Sequence, residues 1–201
     1  MKLIITRHGK TNENVLNISA GAGIDSLLVE EGVLQAKKLG LRLKTENIDV
    51  IYVSDLQRAV HTAKEVKEFH PTARFVVTPH LRERNFGIYE GRPKIEFQQA
   101  LQNSPLPFHD FMQEEGASFA QLQNRVVAFF DQLIEKHPNE TILLVSHGAT
   151  ITMLLLKLFD KPITQENYDA YKPKNTAVTM IEFLPNTLLK IHMLNDISHL
   201  K

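Results

Sequence analysis

The chain has no cysteine. That excludes disulfides, thiolate nucleophiles and cysteine-based zinc sites, and it suits a cytoplasmic location. Net charge is also missing: 23 Lys plus Arg face 23 Asp plus Glu. Nucleic acid and anionic membrane surfaces both favour a basic excess, so neither is an expected partner. Long apolar runs are absent. The longest, Ile151 to Phe159, contains Lys157 and falls short of the roughly 20 residues of a membrane span. The apolar start at Leu3-Ile4-Ile5 is too short for a signal-peptide core. No carboxylate cluster has metal-ligand spacing and the histidines other than His8 and His147 form no obvious ligand pair, so no catalytic metal and no cofactor are expected.

What is present is a regular alternation. Lys2–Thr6, Asp49–Val53, Arg74–Thr78 and Thr141–Val145 are short, β-branched runs of strand type. Between them lie helical patterns. From Glu30 to about Thr45, Val33, Ala36, Leu39 and Leu43 recur at helical spacing. Ser54 is a candidate N-cap for a helix to about Phe69. Residues 117–137 carry Phe119, Leu122, Val126, Phe129 and Leu133 at steps of three and four, and Ala149–Phe159 reads as another helix. Thr176–Phe183 and Leu188–Met193 flank Pro185-Asn186, which predicts a hairpin. Residues 10–29 read as a loop. The pattern predicts one α/β domain over residues 1–201, a three-layer α/β/α sandwich with a mostly parallel sheet. Residues 86–116, with three prolines and five aromatics, break the rhythm and predict an inserted cap at about 86–120.

The chemistry gathers at strand ends, where open parallel sheets bind ligands. Arg7-His8-Gly9 follows the first strand, Arg58 lies in the first turn after the second, and Ser146-His147-Gly148 follows Thr141–Val145. The glycine after His8 would let backbone N–H groups approach a ligand, and an arginine fork matches phosphate oxygens. Two arginines, two histidines and helix N-termini converging at one edge would make a pocket for a dianion such as a phosphoryl group.

Thr6-Arg7-His8-Gly9-Lys10-Thr11 with Asn14, Ser54-Asp55-Leu56-Gln57-Arg58-Ala59 with Thr62-Ala63, Leu81-Arg82-Glu83 with Phe86-Gly87 and Glu90-Gly91, and Val145-Ser146-His147-Gly148 stand in one order along the chain. This set resembles the signature of the histidine phosphatase superfamily, the phosphoglycerate mutase-like proteins. The resemblance implies that His8 is the nucleophile, forming a phosphohistidine. It implies that Arg7, Arg58, Asn14, His147 and Gly148 hold the phosphoryl oxygens, with His147 protonated when the dianion is bound. Glu83 would be the general acid and then the base. Glu90 and Glu96 are its rivals nearby. Arg82 and Arg84 are open between substrate and solvent, and His109 is a candidate for the pocket rim.

The resembled family holds mutases and phosphatases. Its mutases carry an arginine pair in the inserted region and an asparagine after the second His-Gly. Residues 93–120 here have Lys94 but no arginine, together with Glu96, Asp110, Glu114 and Glu115, and Ala149 follows Gly148. Both departures favour a phosphatase, and the acidic cap predicts a less anionic substrate with an apolar part. The expected function is therefore metal-independent hydrolysis of a small phosphomonoester. The alternatives are a cofactor-dependent phosphoglycerate mutase and a non-catalytic module that binds phosphorylated ligands.

Overall fold

A computed structural model of the chain describes residues 1–184 and 189–201. Its sheet has six strands, β1 (Lys2–Arg7), β2 (Val50–Ser54), β3 (Arg74–Thr78), β4 (Thr141–Ser146), β5 (Val178–Phe183) and β6 (Leu189–Asp196), in the order β3-β2-β4-β1-β5-β6. The first four run parallel to one another, β5 pairs antiparallel with β1, and β6 pairs antiparallel with β5. The hairpin pairing expected for the last two strands is present. The Pro185-Asn186 turn itself lies outside the described residues.

The apolar strands are continuous because both faces of the sheet are covered. Leu3, Ile5, Tyr52 and Leu144 point to one layer, made by α5 (Phe119–Lys136) and α6 (Gly148–Leu158). Ile4, Ile51, Val53 and Leu143 point to the other, made by α2 (Glu30–Leu43) and α3 (Gln57–Lys67). Burying each such side chain contributes about 1.5–3 kcal/mol. Ser118 starts α5 with a capping box, its hydroxyl taking the Gln121 N–H while the Gln121 side chain takes the Ser118 N–H.

Three elements depart from the sequence-based reading. The 10–29 segment contains a short helix, α1 (Asn12–Val15), capped by Thr11. The cap region holds a helix, α4 (Lys94–Gln102). After α6 comes α7 (Gln165–Tyr171), a seven-residue helix that brings Tyr168 against Phe119. Among the described residues no helix is long and apolar enough to cross a membrane.

Candidate active site

Parallel register brings the reactive triplets together. Arg7 at the end of β1 is opposite Ser146 at the end of β4, and β2 ends beside β4. One cleft is lined by Arg7, His8, Asn14, Arg58, Glu83 and Gly148. His147 sits just behind, its ring centroid 5.1 Å from that of His8 and its side chain fully buried. Every residue expected at the site therefore lies in or against one cleft, at the carboxyl ends of the strands.

His8 is 4% exposed. Its Nδ1 is 2.7 Å from the Gly9 carbonyl oxygen. A carbonyl only accepts, so Nδ1 carries the proton and Nε2 keeps its lone pair. Burial first, then the charges of Arg7 and Arg58, hold the imidazole well below its ordinary pKa. The result is a neutral ring with a free nucleophilic nitrogen. Gly9 itself does not present its N–H to the cleft. That N–H donates to the Thr62 hydroxyl at 2.9 Å, and a Cβ on Gly9 would lie 2.5 Å from the Gly32 carbonyl oxygen. The glycine lets α2 approach, a packing reason rather than the ligand contact expected.

Arg58 is almost wholly buried and held on three sides. Its Nε donates to His147 Nδ1 at 3.2 Å, Nη1 to the Ile24 carbonyl at 2.6 Å and Nη2 to the Gly21 carbonyl at 2.7 Å. Because His147 Nδ1 accepts, its Nε2 bears the proton, donated to Ser54 Oγ at 2.8 Å. Burial, Arg58 and His8 keep His147 well below its ordinary pKa. The expectation of a protonated His147 concerns the dianion-bound site; in this structure a guanidinium N–H occupies Nδ1. Ser54 is the end of β2 and does not cap α3. Leu56 stands at that N-cap without a side-chain bond, while Asp25 accepts the Gln57 N–H at 2.6 Å.

Asn14 Oδ1 is shared by the Thr11 N–H at 3.3 Å and the Asn175 amide at 3.1 Å. That leaves the Asn14 amide N–H groups as the end available to an anion. Arg7 donates through Nη1 to the Pro173 carbonyl at 3.1 Å, and its buried Nε has no partner among the described residues.

Glu83 is fixed from below by its neighbours' backbone. Ser146 Oγ donates to the Leu81 carbonyl and Thr150 Oγ1 to the Arg82 carbonyl, each at 2.7 Å. Its carboxylate rests on the start of α6, accepting N–H bonds from Ala149 at 3.1 Å and Thr150 at 3.2 Å. The rivals are elsewhere. Glu90 braces the loop before α2: it accepts N–H bonds from Ala22 at 2.9 Å, Gly23 at 2.8 Å and Phe86 at 3.1 Å. A Cβ on Gly21, whose φ is +59°, would strike its carboxylate at 2.0 Å. Glu90 therefore presents the Gly21 and Ile24 carbonyls to Arg58. Glu96 pairs with Arg92 at 3.8 Å, away from the cleft.

Arg82 and Arg84 both lie outside the cleft lining. Arg82 makes a two-pronged pair with Asp55 at 2.7 and 2.8 Å. Arg84 is buried, donating to the carbonyls of Ala117 at 2.6 Å and Phe111 at 2.7 Å, with its guanidinium 4.0 Å from the Phe119 ring centroid. Exposed His109 stands 3.3 Å from Asp110 and also misses the rim. The residues that sequence reasoning missed are Tyr168 and Lys172, brought to the cleft by α7 and the chain just after it. Lys94 was noted for its charge but not placed there. Among the described residues no group of three potential metal ligands occurs.

A neutral imidazole with a free nitrogen, two guanidinium groups and a carboxylate at the strand ends of a doubly covered sheet can accept a phosphoryl group and hold its charge. A family model for the histidine phosphatase superfamily, branch 1, matches residues 3–197, and the chain belongs to that family. It is 30% identical to a probable phosphatase of Schizosaccharomyces pombe, over 100% of this chain and 96% of that one. It is 28% identical to a metal-independent phosphoserine phosphatase of Arabidopsis thaliana, over 99% and 83% of the two chains. The solved structure of Bacillus stearothermophilus YhfR superposes with a TM-score of 0.88 at 29% identity, covering 100% of this chain and 99% of the other.

Proposed function

We propose that the chain is a metal-independent phosphomonoesterase that works through a phosphohistidine on His8. In the first step His8 Nε2 bonds to phosphorus while the bond from phosphorus to the leaving oxygen breaks. Glu83 gives its proton to that oxygen, so the alcohol leaves neutral. In the second step Glu83 takes a proton from water, the oxygen attacks phosphorus, and the bond to Nε2 breaks to release inorganic phosphate. Arg7, Arg58 and the Asn14 amide would hold the non-bridging oxygens, and His147 would complete that cradle. The observation that carries this reading is the tautomer of His8. Its Nδ1 proton is committed to the Gly9 carbonyl, which leaves Nε2 unprotonated in the cleft without a base to activate it. The phosphatase names of the relatives support water as the acceptor.

The test is hydrolysis of p-nitrophenyl phosphate in EDTA. The expected result is full activity with chelator and a fall of roughly 10³-fold or more for His8→Ala, the scale on which loss of a nucleophile is felt. Wild-type rates in the variant would sink the phosphohistidine, as would a phosphoryl group trapped on the protein in a bond stable to acid, since the phosphorus–nitrogen bond is acid-labile. Binding of phosphate with no turnover across a broad panel would leave a binding module instead. Conversion of 3- to 2-phosphoglycerate dependent on an added bisphosphorylated cofactor would restore the mutase.

A further inference from the structure

Glu83 lies on a stretch, residues 82–86, that is neither helix nor strand. No backbone ladder fixes it, so its carbonyl groups need partners from elsewhere. Side chains supply them. Ser146 at the end of β4 donates to the Leu81 carbonyl and Thr150 on α6 to the Arg82 carbonyl, each at 2.7 Å. Arg125 on α5 donates through Nη2 to the carbonyls of both Arg82 and Glu83, the latter at 3.2 Å. Carbonyls of three consecutive residues, Glu83 the last, are thus held from three different elements. Arg125 is half-buried, lies outside the cleft lining, and leaves its Nε without a partner among the described residues. Burial lowers its pKa and the charge of Glu83 opposes that. Taking a guanidinium partly out of water is costly, and its two carbonyl bonds are what this position gains.

The two carboxylate oxygens of Glu83 are not equivalent. Oε1 accepts the Arg84 N–H at 2.8 Å and the Thr150 N–H at 3.2 Å, which occupy both its lone pairs. Thr150 Oγ1 also stands 3.3 Å from Oε1. Its proton has the nearer Arg82 carbonyl, at 2.7 Å, a group that only accepts. Oε2 accepts a single N–H, from Ala149 at 3.1 Å, and keeps a lone pair for a proton. Gly148 and Ala149 line the cleft, whereas Arg84 and Thr150 do not. A Cβ on Gly148 would lie 3.8 Å from Oε2 and 3.7 Å from Arg7 Cζ, so Oε2 and the Arg7 guanidinium flank that one glycine. Oε2 is therefore the oxygen turned to the cleft.

We propose that Arg125 and Thr150 are positioning residues that act through the carbonyls of Arg82 and Glu83, holding Glu83 with Oε2 as the oxygen that carries the proton. The inference rests on the phosphatase reading above. In the first step the O–H bond at Oε2 breaks as the leaving oxygen takes the proton and His8 Nε2 bonds to phosphorus. In the second, Oε2 takes a proton from the attacking water. Neither Arg125 nor Thr150 touches the reacting atoms. A misplacement of about 1 Å in a reacting group costs up to about 10²-fold. Here that loss is felt only as far as the leaving group needs the proton.

The experiment measures kcat/KM for 2,4-dinitrophenyl phosphate and for phenyl phosphate. The first expels a weakly basic phenolate that leaves without a proton; the second expels a strongly basic one that needs it. Because kcat/KM covers phosphoryl transfer to His8 and not the later attack of water, it isolates the acid role of Glu83. The quantity read is the ratio of the first substrate to the second within one protein, which cancels any loss of folded enzyme. Thr150→Val removes the hydroxyl and keeps the branch; Arg125→Met removes the guanidinium and keeps an apolar stem. In each the ratio should rise about 10- to 100-fold over the wild type. Thr150→Ser, which keeps the hydroxyl, should hold it within about threefold, and Glu83→Gln, with no acidic proton, should raise it about 10²-fold or more. An unchanged ratio in Thr150→Val and Arg125→Met, with a rise in Glu83→Gln, overturns the positioning role and leaves the phosphatase standing, even where both rates fall together. A rise in one of the two variants alone overturns the role for the other residue. A serine variant that behaves as the valine variant overturns the hydroxyl's part. An unchanged ratio in Glu83→Gln overturns Glu83 as the donor and the positioning role with it. No turnover of either ester by the wild type overturns the phosphatase reading itself.

Discussion

Ser54 serves a histidine just beyond the end of another strand rather than the helix it precedes. Its hydroxyl accepts the Nε2 proton of His147 at 2.8 Å, and that proton's place is what leaves Nδ1 free for Arg58. Removing the hydroxyl strands a buried N–H, at a cost of about 1–3 kcal/mol. It also frees the ring to take the other tautomer, which would set an N–H against the Arg58 Nε–H. Ser54→Ala should therefore lower kcat about 10-fold with little change in KM, whereas Ser54→Thr, which keeps the hydroxyl, should retain most of the rate. Steady-state kinetics on both variants decide the matter; equal kcat values for the alanine variant and the wild type would refute this role. In the sequence the serine reads as a helix-cap candidate and as the first residue of the Ser54–Ala59 motif, and neither reading gives this role. Its actual use depends on β2 and β4 lying side by side, a pairing between segments more than 90 residues apart.

At the scale of elements, Arg84 organises the cap. Its guanidinium reaches two carbonyls in the segment between α4 and α5, those of Phe111 and Ala117, and its face lies on Phe119 at the start of α5. Phe97 and Phe86 close in at 4.9 and 5.3 Å from the guanidinium. A lysine cannot make two bonds in one plane or stack in this way. Arg84→Lys should cost about 2 kcal/mol and loosen the cap, checked by faster proteolytic nicking within residues 86–117 and by a lower Tm. Unchanged nicking and Tm would show that the aromatics hold the cap unaided. Much of the rest was legible in advance. The α/β alternation follows from hydrophobic period, and the site follows from the rule that open sheets bind at strand ends. What escaped has a physical reason. Helix α7 is seven residues long and buries only Tyr168, so it carries no stripe for a period to reveal, and helices so short lean on tertiary packing. The cap's composition was legible but its facing was not: Lys94 and the four acids sit on one short stretch, and only the fold sorts them to opposite sides.

For the whole molecule, burying two neutral histidines against arginines links the site to stability. His8 and His147 have folded-state pKa values depressed well below their ordinary range, by burial first and then by neighbouring cations. In the unfolded chain each should titrate near 6.5. Below that pH, and down to the folded values, the unfolded state binds more protons than the native one. Stability then falls as pH falls, each group adding a slope of up to about 1.4 kcal/mol per pH unit. His70 and His199, also lowered by burial, add to the same window with smaller shifts. Carboxylates held low by partners, such as Glu13 and Asp196, act only nearer pH 4. The Tm should thus drop steeply between pH 6.5 and 5, before those acids protonate. The variant His8→Asn, which cannot charge, should show a shallower slope over that interval, whatever its Tm at pH 7. Calorimetric scans of both proteins in non-phosphate buffer would measure the two slopes. If they coincide, His8 is not held neutral in the fold, and the free Nε2 on which the proposed chemistry rests would need another explanation.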